Sequence, residues 1–298
     1  MLKTAQEMLP RDPDPAIFSW LEHIENTCLI LLFLISSANL AAWLMPAPGW
    51  SVLIRWQPMQ PEAALAALFS TLCLMFLGTG QTRWKKWISP LLAVVVILLA
   101  ASALFRFIPN FPGLPVLLAY TEQVAKPARI DTPSAGAFLV LGFTMLAMTV
   151  ENRIAVWLSD LLTLLLCGST LTVISSYLFG KWSLFGAPAA ASAHCGTLAC
   201  LVLLTIIAFL RRTENGIFSI YTGSGNGGKL ARILTPILIL IPFLRETSQA
   251  RLLGVSTMPA ENVTALLAST AVVISIALLL YLVWRINRVE TEIHALAL

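Results

Sequence analysis

The sequence predicts an all-α membrane protein, a polytopic bundle of about eight transmembrane helices whose C-terminal helix extends beyond the membrane. Hydrophobic residues make up 58% of the 298 residues and charged residues only 11%, whereas a soluble domain has about 25% charged residues. The mean hydropathy is +0.83. Apolar runs of membrane-spanning length recur along the chain, and the last one continues without Gly or Pro to the final residue.

Eight apolar segments are each near the length needed to cross about 30 Å of hydrocarbon. They are residues 24–45, 63–80, 87–108, 134–150, 154–179, 194–210, 230–244 and 263–284. The seventh is short and contains Pro236 and Pro242, so we expect it to be kinked or partly re-entrant. If that segment does not cross, the count falls to seven.

The segments outside the bundle are assigned by their polarity. Residues 1–23 are polar and Pro-rich and do not resemble a cleavable signal peptide, so they are predicted to form a cytoplasmic N-terminal segment. Residues 24–284 form the eight-span bundle, and residues 285–298 begin a cytoplasmic helix. Around the junction of the first segment and the first span, Glu22, His23 and Glu25 suit the positive end of a helix dipole. The alternative is a docking surface for Arg285 and Arg288.

The distribution of basic residues predicts the orientation in the membrane. With both termini inside, the inner segments hold 12 Lys and Arg residues and the outer segments hold 7. Cytoplasmic segments carry the excess of Lys and Arg, so both termini are predicted to be cytoplasmic in a multi-pass protein of the bacterial inner membrane. Topology accounts for these cations, so the lipid bilayer is the expected partner and nucleic acid is not.

The C-terminal stretch carries the spacing of a coiled-coil seam. Leu282, Ile286, Val289, Ile293 and Leu296 follow one another at intervals of 4, 3, 4 and 3 residues. This spacing predicts a continuous helix that forms a homodimer through Ile286, Val289, Ile293 and Leu296. The alternative is an amphipathic tail, because two heptads are too few to establish a coiled coil.

Ionisable groups inside a bilayer are candidate functional sites because their burial is costly. Asp160 lies six residues into the fifth predicted span. We predict that it faces other helices and not lipid. Its functional interpretation is a proton or cation site, and the alternative is a hydrogen-bonded packing residue.

Further sensing candidates lie on the predicted outer side. They are Tyr177, Trp182 and His194, which could line a pocket, and the loop residues Asp131, Arg245, Glu246 and Arg251. His194 could equally anchor a helix at the interface. The outer loops are too short for a folded domain of about 50 residues or more. A ligand site is therefore expected among the spans or under these loops.

Catalysis, metal binding and cofactor binding have no support in the sequence. No nucleophile–base–acid set is visible, the five cysteines lack metal-ligand spacing, and no metal site or cofactor is predicted. The stretch from Gly223 to Lys229 matches G-x-x-x-x-G-K, but Leu230 stands where a phosphate loop has Ser or Thr for Mg²⁺. We interpret this stretch as a turn between spans.

Several short stretches from Ile130 onward resemble a known class of membrane modules. They begin with Ile130-Asp-Thr-Pro-Ser-Ala-Gly, Tyr177-Leu-Phe-Gly, Leu184-Phe-Gly, Ala193-His-Cys-Gly-Thr-Leu, Arg211-Arg-Thr-Glu-Asn-Gly and Trp284-Arg-Ile-Asn. Together they cover about 170 residues and resemble the multi-span N-terminal membrane input (sensor) domain of bacterial PAS, histidine kinase or diguanylate cyclase receptors. The pattern departs from such receptors because no effector follows Leu298 in this sequence.

The resemblance implies signal transduction of the two-component type, with a cytoplasmic signalling effector in cis or in trans. The expected function is to relay an extracytoplasmic or membrane-borne cue through the last helix by a shift between two packings of the bundle. The chain itself is not predicted to be an enzyme. Two alternatives remain open: a small ion-coupled transporter or permease-like protein that uses Asp160, and a non-catalytic membrane subunit that scaffolds a complex.

Overall fold

The described part of the chain is almost entirely helical. A computed structural model describes residues 15–44, 59–78, 84–105, 130–150, 152–179, 195–213, 217–223, 228, 230–236, 239 and scattered positions from 269 to 288. No strand occurs within these ranges. The predicted all-α class is therefore confirmed.

Six helices and one short 3-10 turn make up the described elements. The helices are α1 Pro15–Leu44, α2 Pro61–Gly78, α3 Lys85–Phe105, α4 Thr132–Met148, α5 Arg153–Phe179 and α6 Cys195–Arg212, and the 3-10 turn is Ile217–Thr222. Each helix overlaps one of the first six predicted spans. The hydropathy pattern thus locates these helices to within a few residues, except at the start of α1.

Four of these helices are long and apolar enough to cross a membrane, over Ser19–Trp43, Trp87–Leu104, Arg153–Leu178 and Cys195–Arg212. Helices α2 and α4 are apolar over shorter lengths. This composition identifies a membrane protein. The count of eight spans stays a prediction, because the seventh and eighth predicted spans are described only in part, at helical residues 230–236 and 239 and at scattered helical positions from 269.

Helix α1 begins earlier than predicted, at Pro15 instead of residue 24. Residues 15–23, which belong to the predicted cytoplasmic N-terminal segment, form the first turns of α1. Proline is well accommodated in the first turn because its missing N–H has no partner there and its φ is already helical. No Gly or further Pro follows before the apolar run, so nothing separates these turns from the span.

Consecutive helices pack side by side from α2 to α5. Between α2 and α3, the Cys73 thiol donates to the Ser89 carbonyl oxygen at 3.3 Å. Between α3 and α4, the two helices approach each other closely at Gly142. A Cβ atom on Gly142 would lie 2.6 Å from Ile97 Cγ1 and 3.3 Å from the Ile97 backbone nitrogen. Glycine at this position therefore sets how closely α3 and α4 approach.

We expect Gly142→Ala to destabilise the protein by about 1–3 kcal/mol, the range for overpacking a close-packed contact. The added methyl group has to displace Ile97 or separate the two helices. The thermal unfolding midpoint of the purified protein in detergent measures the effect. Gly136→Ala on the same helix is the matched control, because a Cβ there meets nothing within 4 Å. An equal response of the two variants would contradict the close approach at Gly142.

The chain divides into two compact units. The bundle unit comprises Asn26–Ala208, and the terminal unit comprises Met1–Glu25 together with Phe209–Leu298. Helices α1 and α6 each contribute residues to both units, since the boundaries fall within them. Within the bundle unit, the core consists of apolar side chains and small hydroxyl residues.

The C-terminal stretch is helical at its described positions, including Arg288 beyond Trp284. The Arg288 guanidinium lies over the Trp284 ring, 5.6 Å from its centroid, within the range of a cation–π contact. Five buried positions follow helical spacing, namely Ser269, Val272, Ile276, Leu279 and Val283. The predicted seam residues Leu282, Ile286, Val289, Ile293 and Leu296 lie outside the described residues, and their dimerisation stays a prediction.

Candidate functional site

Asp160 is buried within the bundle unit, as the sequence predicts. Only 4% of its surface is exposed, although its near neighbours Trp157 and Leu161 on α5 are exposed. The helix therefore turns the carboxyl group toward protein and its apolar side chains outward. Because an ionisable group at this depth is costly to bury, Asp160 stays the first candidate for a functional acid.

Two buried hydroxyl residues, Ser159 and Thr163, are close to Asp160 in the sequence of α5. Ser159 Oγ donates to the Val156 carbonyl oxygen at 2.8 Å, and Thr163 Oγ1 donates to the Ser159 carbonyl oxygen at 2.7 Å. Bonds of this kind satisfy each hydroxyl within its own helix, so the hydroxyl protons are already engaged.

One pair of hydroxyl groups joins α5 to α6. Thr170 Oγ1 lies 2.7 Å from Thr205 Oγ1, and Thr205 also donates to the Leu201 carbonyl oxygen at 2.7 Å. A hydroxyl has a single proton, so Thr170 is the donor between the two helices. This bond fixes the register of α5 against α6, as interhelical hydroxyl bonds commonly do in membranes.

A second polar cluster in the bundle unit surrounds Met59, just before α2. The Asn39 Oδ1 atom accepts from the Met59 backbone N–H at 3.0 Å, and the Trp43 indole N–H donates to the Met59 carbonyl oxygen at 2.8 Å. The Cys200 thiol lies 3.8 Å from the Met59 sulfur. Met59 is buried. The cluster thus ties the end of α1 and the start of α2 to α6.

Further buried polar side chains are close in sequence to Met59 or to Cys200. Gln60 Oε1 and Thr197 Oγ1 have no hydrogen-bond partner, and Glu62 in the first turn of α2 is 4% exposed. Hydropathy alone does not predict this cluster, because Met59, Gln60 and Glu62 lie between the first two predicted spans. The sequence contains no local signal for the cluster, since it combines residues 39, 59 and 200.

Of the other predicted site residues, the structure describes Asp131 and Tyr177. Asp131 caps the N-terminus of α4, where its Oδ2 atom accepts from the Ser134 backbone N–H at 3.2 Å and from the Ser134 hydroxyl at 2.8 Å. This capping accounts for an acid at that position. Tyr177 is exposed near the end of α5. Trp182, His194, Arg245, Glu246 and Arg251 lie outside the described residues.

In the terminal unit, Glu25 of α1 forms an ion pair with Arg211 of α6. Glu25 Oε1 accepts from Arg211 Nε at 2.7 Å, with side chains only 18% and 11% exposed. Glu25, part of the docking surface that the sequence suggests for Arg285 and Arg288, is thus paired with Arg211. Arg288 instead lies against Trp284, and Arg285 is outside the described residues.

An aromatic cluster follows the ion pair at the end of α6. The Phe209 ring packs edge-on against Phe218 and Tyr221, with centroid distances of 5.1 and 5.2 Å. The Tyr221 hydroxyl is hydrogen-bonded to the Thr235 hydroxyl. The end of α6, the 3-10 turn and the helical residues 230–236 are therefore in continuous contact.

Among the described residues, no group of three or more His, Cys, Asp and Glu side chains is arranged to hold a metal ion. No protein family model, no curated protein and no solved structure matches the chain. The function of the chain therefore has to be inferred from its own contacts.

Proposed function

We propose that the chain is a membrane sensory module that relays a cue to a cytoplasmic signalling effector through its last helix. It acts in the bacterial inner membrane with both termini in the cytoplasm, and as a homodimer through Ile286, Val289, Ile293 and Leu296. The cue, extracytoplasmic or membrane-borne, favours one packing of the bundle unit. The change then passes to the terminal unit, which includes the last helix.

The observation that carries this proposal is the pairing of the two helices shared by both units. Helices α1 and α6 run without interruption across the unit boundaries, and Glu25 joins Arg211 at 2.7 Å beside those boundaries. A helix transmits rotation and translation along its length because its backbone bonds are continuous. The largely buried ion pair makes the two helices move together.

Contacts within the terminal unit provide the next step of the relay. Phe209 on α6 packs against Phe218 and Tyr221, and Tyr221 bonds to Thr235. A displacement of α6 therefore changes the packing of the residues that precede the last helix. Packed contacts of this kind favour discrete arrangements over gradual deformation, which suits a switch between two states.

A helical fusion tests the proposal. A diguanylate cyclase output domain is joined after Leu298 by a helical linker, and one to four residues are inserted at the junction. Since each residue rotates the helix by about 100°, output should rise and fall with a period near 3.6 residues. Cyclic dinucleotide in membranes measures this output. Output independent of linker length would contradict relay through this helix.

The ion-coupled transporter is the second candidate, and the burial of Asp160 favours it. Proton or cation coupling needs at least one ionisable side chain that is buried among the helices within the membrane, and Asp160 is such a side chain. A transporter would require the charge of Asp160, whereas the sensory module would not. The substitution Asp160→Asn removes this charge.

A further inference from the structure

The last helix carries an exposed row of one tyrosine, one tryptophan and one arginine. Tyr281 and Trp284 are 53% and 38% exposed, and Arg288 is also exposed. The rings of Tyr281 and Trp284 lie 6.3 Å apart between centroids, and the Arg288 guanidinium lies 5.6 Å from the centroid of the Trp284 ring. Spacings of three and four residues place these side chains one above the other on a helix. We call Tyr281, Trp284 and Arg288 the aromatic–cation ladder.

The ladder lies on a different side of this helix from the side that the protein buries. Among the described positions from 269 to 288, the buried ones are Ser269, Val272, Ile276, Leu279, Leu280 and Val283. Since each residue rotates a helix by about 100°, these positions fall within an arc of about 100°. The ladder falls within an arc of about 60°, centred about 120° away from the buried face. The ladder is therefore turned away from the packed side of the helix, and its rings are accessible.

The order of residues along the ladder matches the change from hydrocarbon to water at a membrane surface. Residues 276–280 are apolar, Tyr281 and Trp284 each combine an apolar ring with a polar tip, and Arg288 is charged. Tyr and Trp are enriched at the level of the headgroups, and arginine near a helix end lays its stem along apolar surface and keeps its charge in the interface. At 1.5 Å per residue, the ladder extends about 10 Å along the helix axis. That length is enough to cross the headgroup region of one leaflet, which is about 5–8 Å thick.

We propose that the aromatic–cation ladder is a membrane anchor that contacts the phospholipid headgroup region and fixes the rotation of the last helix about its axis. The leaflet is the cytoplasmic one in the proposed topology. The two rings lie against the glycerol and upper acyl carbons, and Arg288, stacked on Trp284, lies at the level of the phosphates. Because the ladder occupies only one side of the helix, a rotation about the axis would turn its polar tips toward protein and lose these lipid contacts.

The composition of the ladder favours lipid over a second copy of the chain as its partner. None of the three residues belongs to the positions predicted for dimerisation, and two polar-tipped rings with a cation differ from the aliphatic side chains of a helix seam. The anchor rests on the proposed crossing of the membrane by the last helix and not on sensing. A protein whose cyclase fusion shows no dependence on linker length can therefore still have the anchor.

Photo-crosslinking of the full-length protein tests the anchor. Tyr281 is replaced by p-benzoylphenylalanine, and the protein is reconstituted in vesicles of phosphatidylethanolamine and phosphatidylglycerol. After irradiation we expect phospholipid adducts attached at the glycerol or upper acyl carbons, as located by mass spectrometry. Leu280, which is 5% exposed on the same helix, is the control position and should give severalfold fewer lipid adducts. Absence of lipid adducts at 281, attachment near the acyl ends, crosslinks between two copies of the chain, or equal yields at 280 and 281 would overturn the proposal.

A second substitution tests whether the ladder fixes the rotation of the helix. In the chain with p-benzoylphenylalanine at position 281, Trp284→Gln removes the ring that contacts both neighbours and should lower the yield of lipid adducts severalfold. Trp284→Phe keeps an aromatic ring and should retain most of the yield. Trp157→Gln is the matched control, because Trp157 is an exposed tryptophan on α5, and it should leave the yield unchanged. An unchanged yield in Trp284→Gln, or equal losses in Trp284→Gln and Trp157→Gln, would overturn the anchoring role.

Discussion

Glu25→Arg is expected to destabilise the protein by about 3 kcal/mol, in the range for removing one partner of a buried ion pair. The substitution places two guanidinium groups together at a contact where Glu25 and Arg211 are now 2.7 Å apart. Adding Arg211→Glu to the same chain should restore most of the loss, because the pair is re-formed with reversed charges. Thermal unfolding of the two single variants and the double variant gives the coupling free energy.

Glu22→Arg is the control for the same change in charge, because Glu22 is exposed on the same helix. It is expected to shift stability by less than about 0.5 kcal/mol, as is usual for surface substitutions. In the cyclase fusion, Glu25→Arg should alter the output and the double variant should return it toward wild type. A double variant no more stable than the single variants would show that Glu25 and Arg211 do not act as a pair.

Asp160→Leu is expected to cost about 3 kcal/mol, whereas Asp160→Asn should fold nearly as well as the wild type. The leucine removes every polar atom of a residue that is 4% exposed, so the polar groups of the protein around it lose a partner. The asparagine keeps the shape and most of the hydrogen-bonding capacity. Unfolding midpoints of the two variants in detergent measure the difference.

The asparagine variant also decides between the two proposed functions. A sensory module with a structural Asp160 should keep its output in the cyclase fusion after Asp160→Asn. A transporter should lose proton- or cation-driven flux in proteoliposomes, because the neutral side chain cannot bind and release the coupling ion. Loss of flux in a folded Asn variant would overturn the sensory proposal in favour of transport.

Hydropathy and charge suffice to predict the membrane class and the helical segments. A span is recognised from the summed transfer free energy of about 20 neighbouring residues, so α3, α5 and α6 follow from their own stretches of sequence. The burial of Asp160 follows in the same way, since a charged side chain in a lipid-spanning helix has to face protein. Both conclusions need only local sequence.

The start of α1 and the role of Asp131 show where local interpretation was incomplete. Pro15 belongs to a polar, Pro-rich stretch of the sequence, yet it begins α1, because proline is compatible with a first helical turn. Asp131 is predicted to lie in a loop, yet the Asp-Thr-Pro-Ser sequence has the pattern of a helix cap and the structure assigns it that contact. The sequence carried both signals.

The contacts that build the candidate sites depend on which helices become neighbours. Glu25 and Arg211 are 186 positions apart, and Cys200 and Met59 are 141 apart. Hydropathy describes only how favourably each helix inserts into lipid. Many arrangements of the helices are equally compatible with the same hydropathy pattern. The arrangement is decided by close packing, as at Gly142, and by the pairing of buried polar groups, because these terms exist only after the helices are assembled.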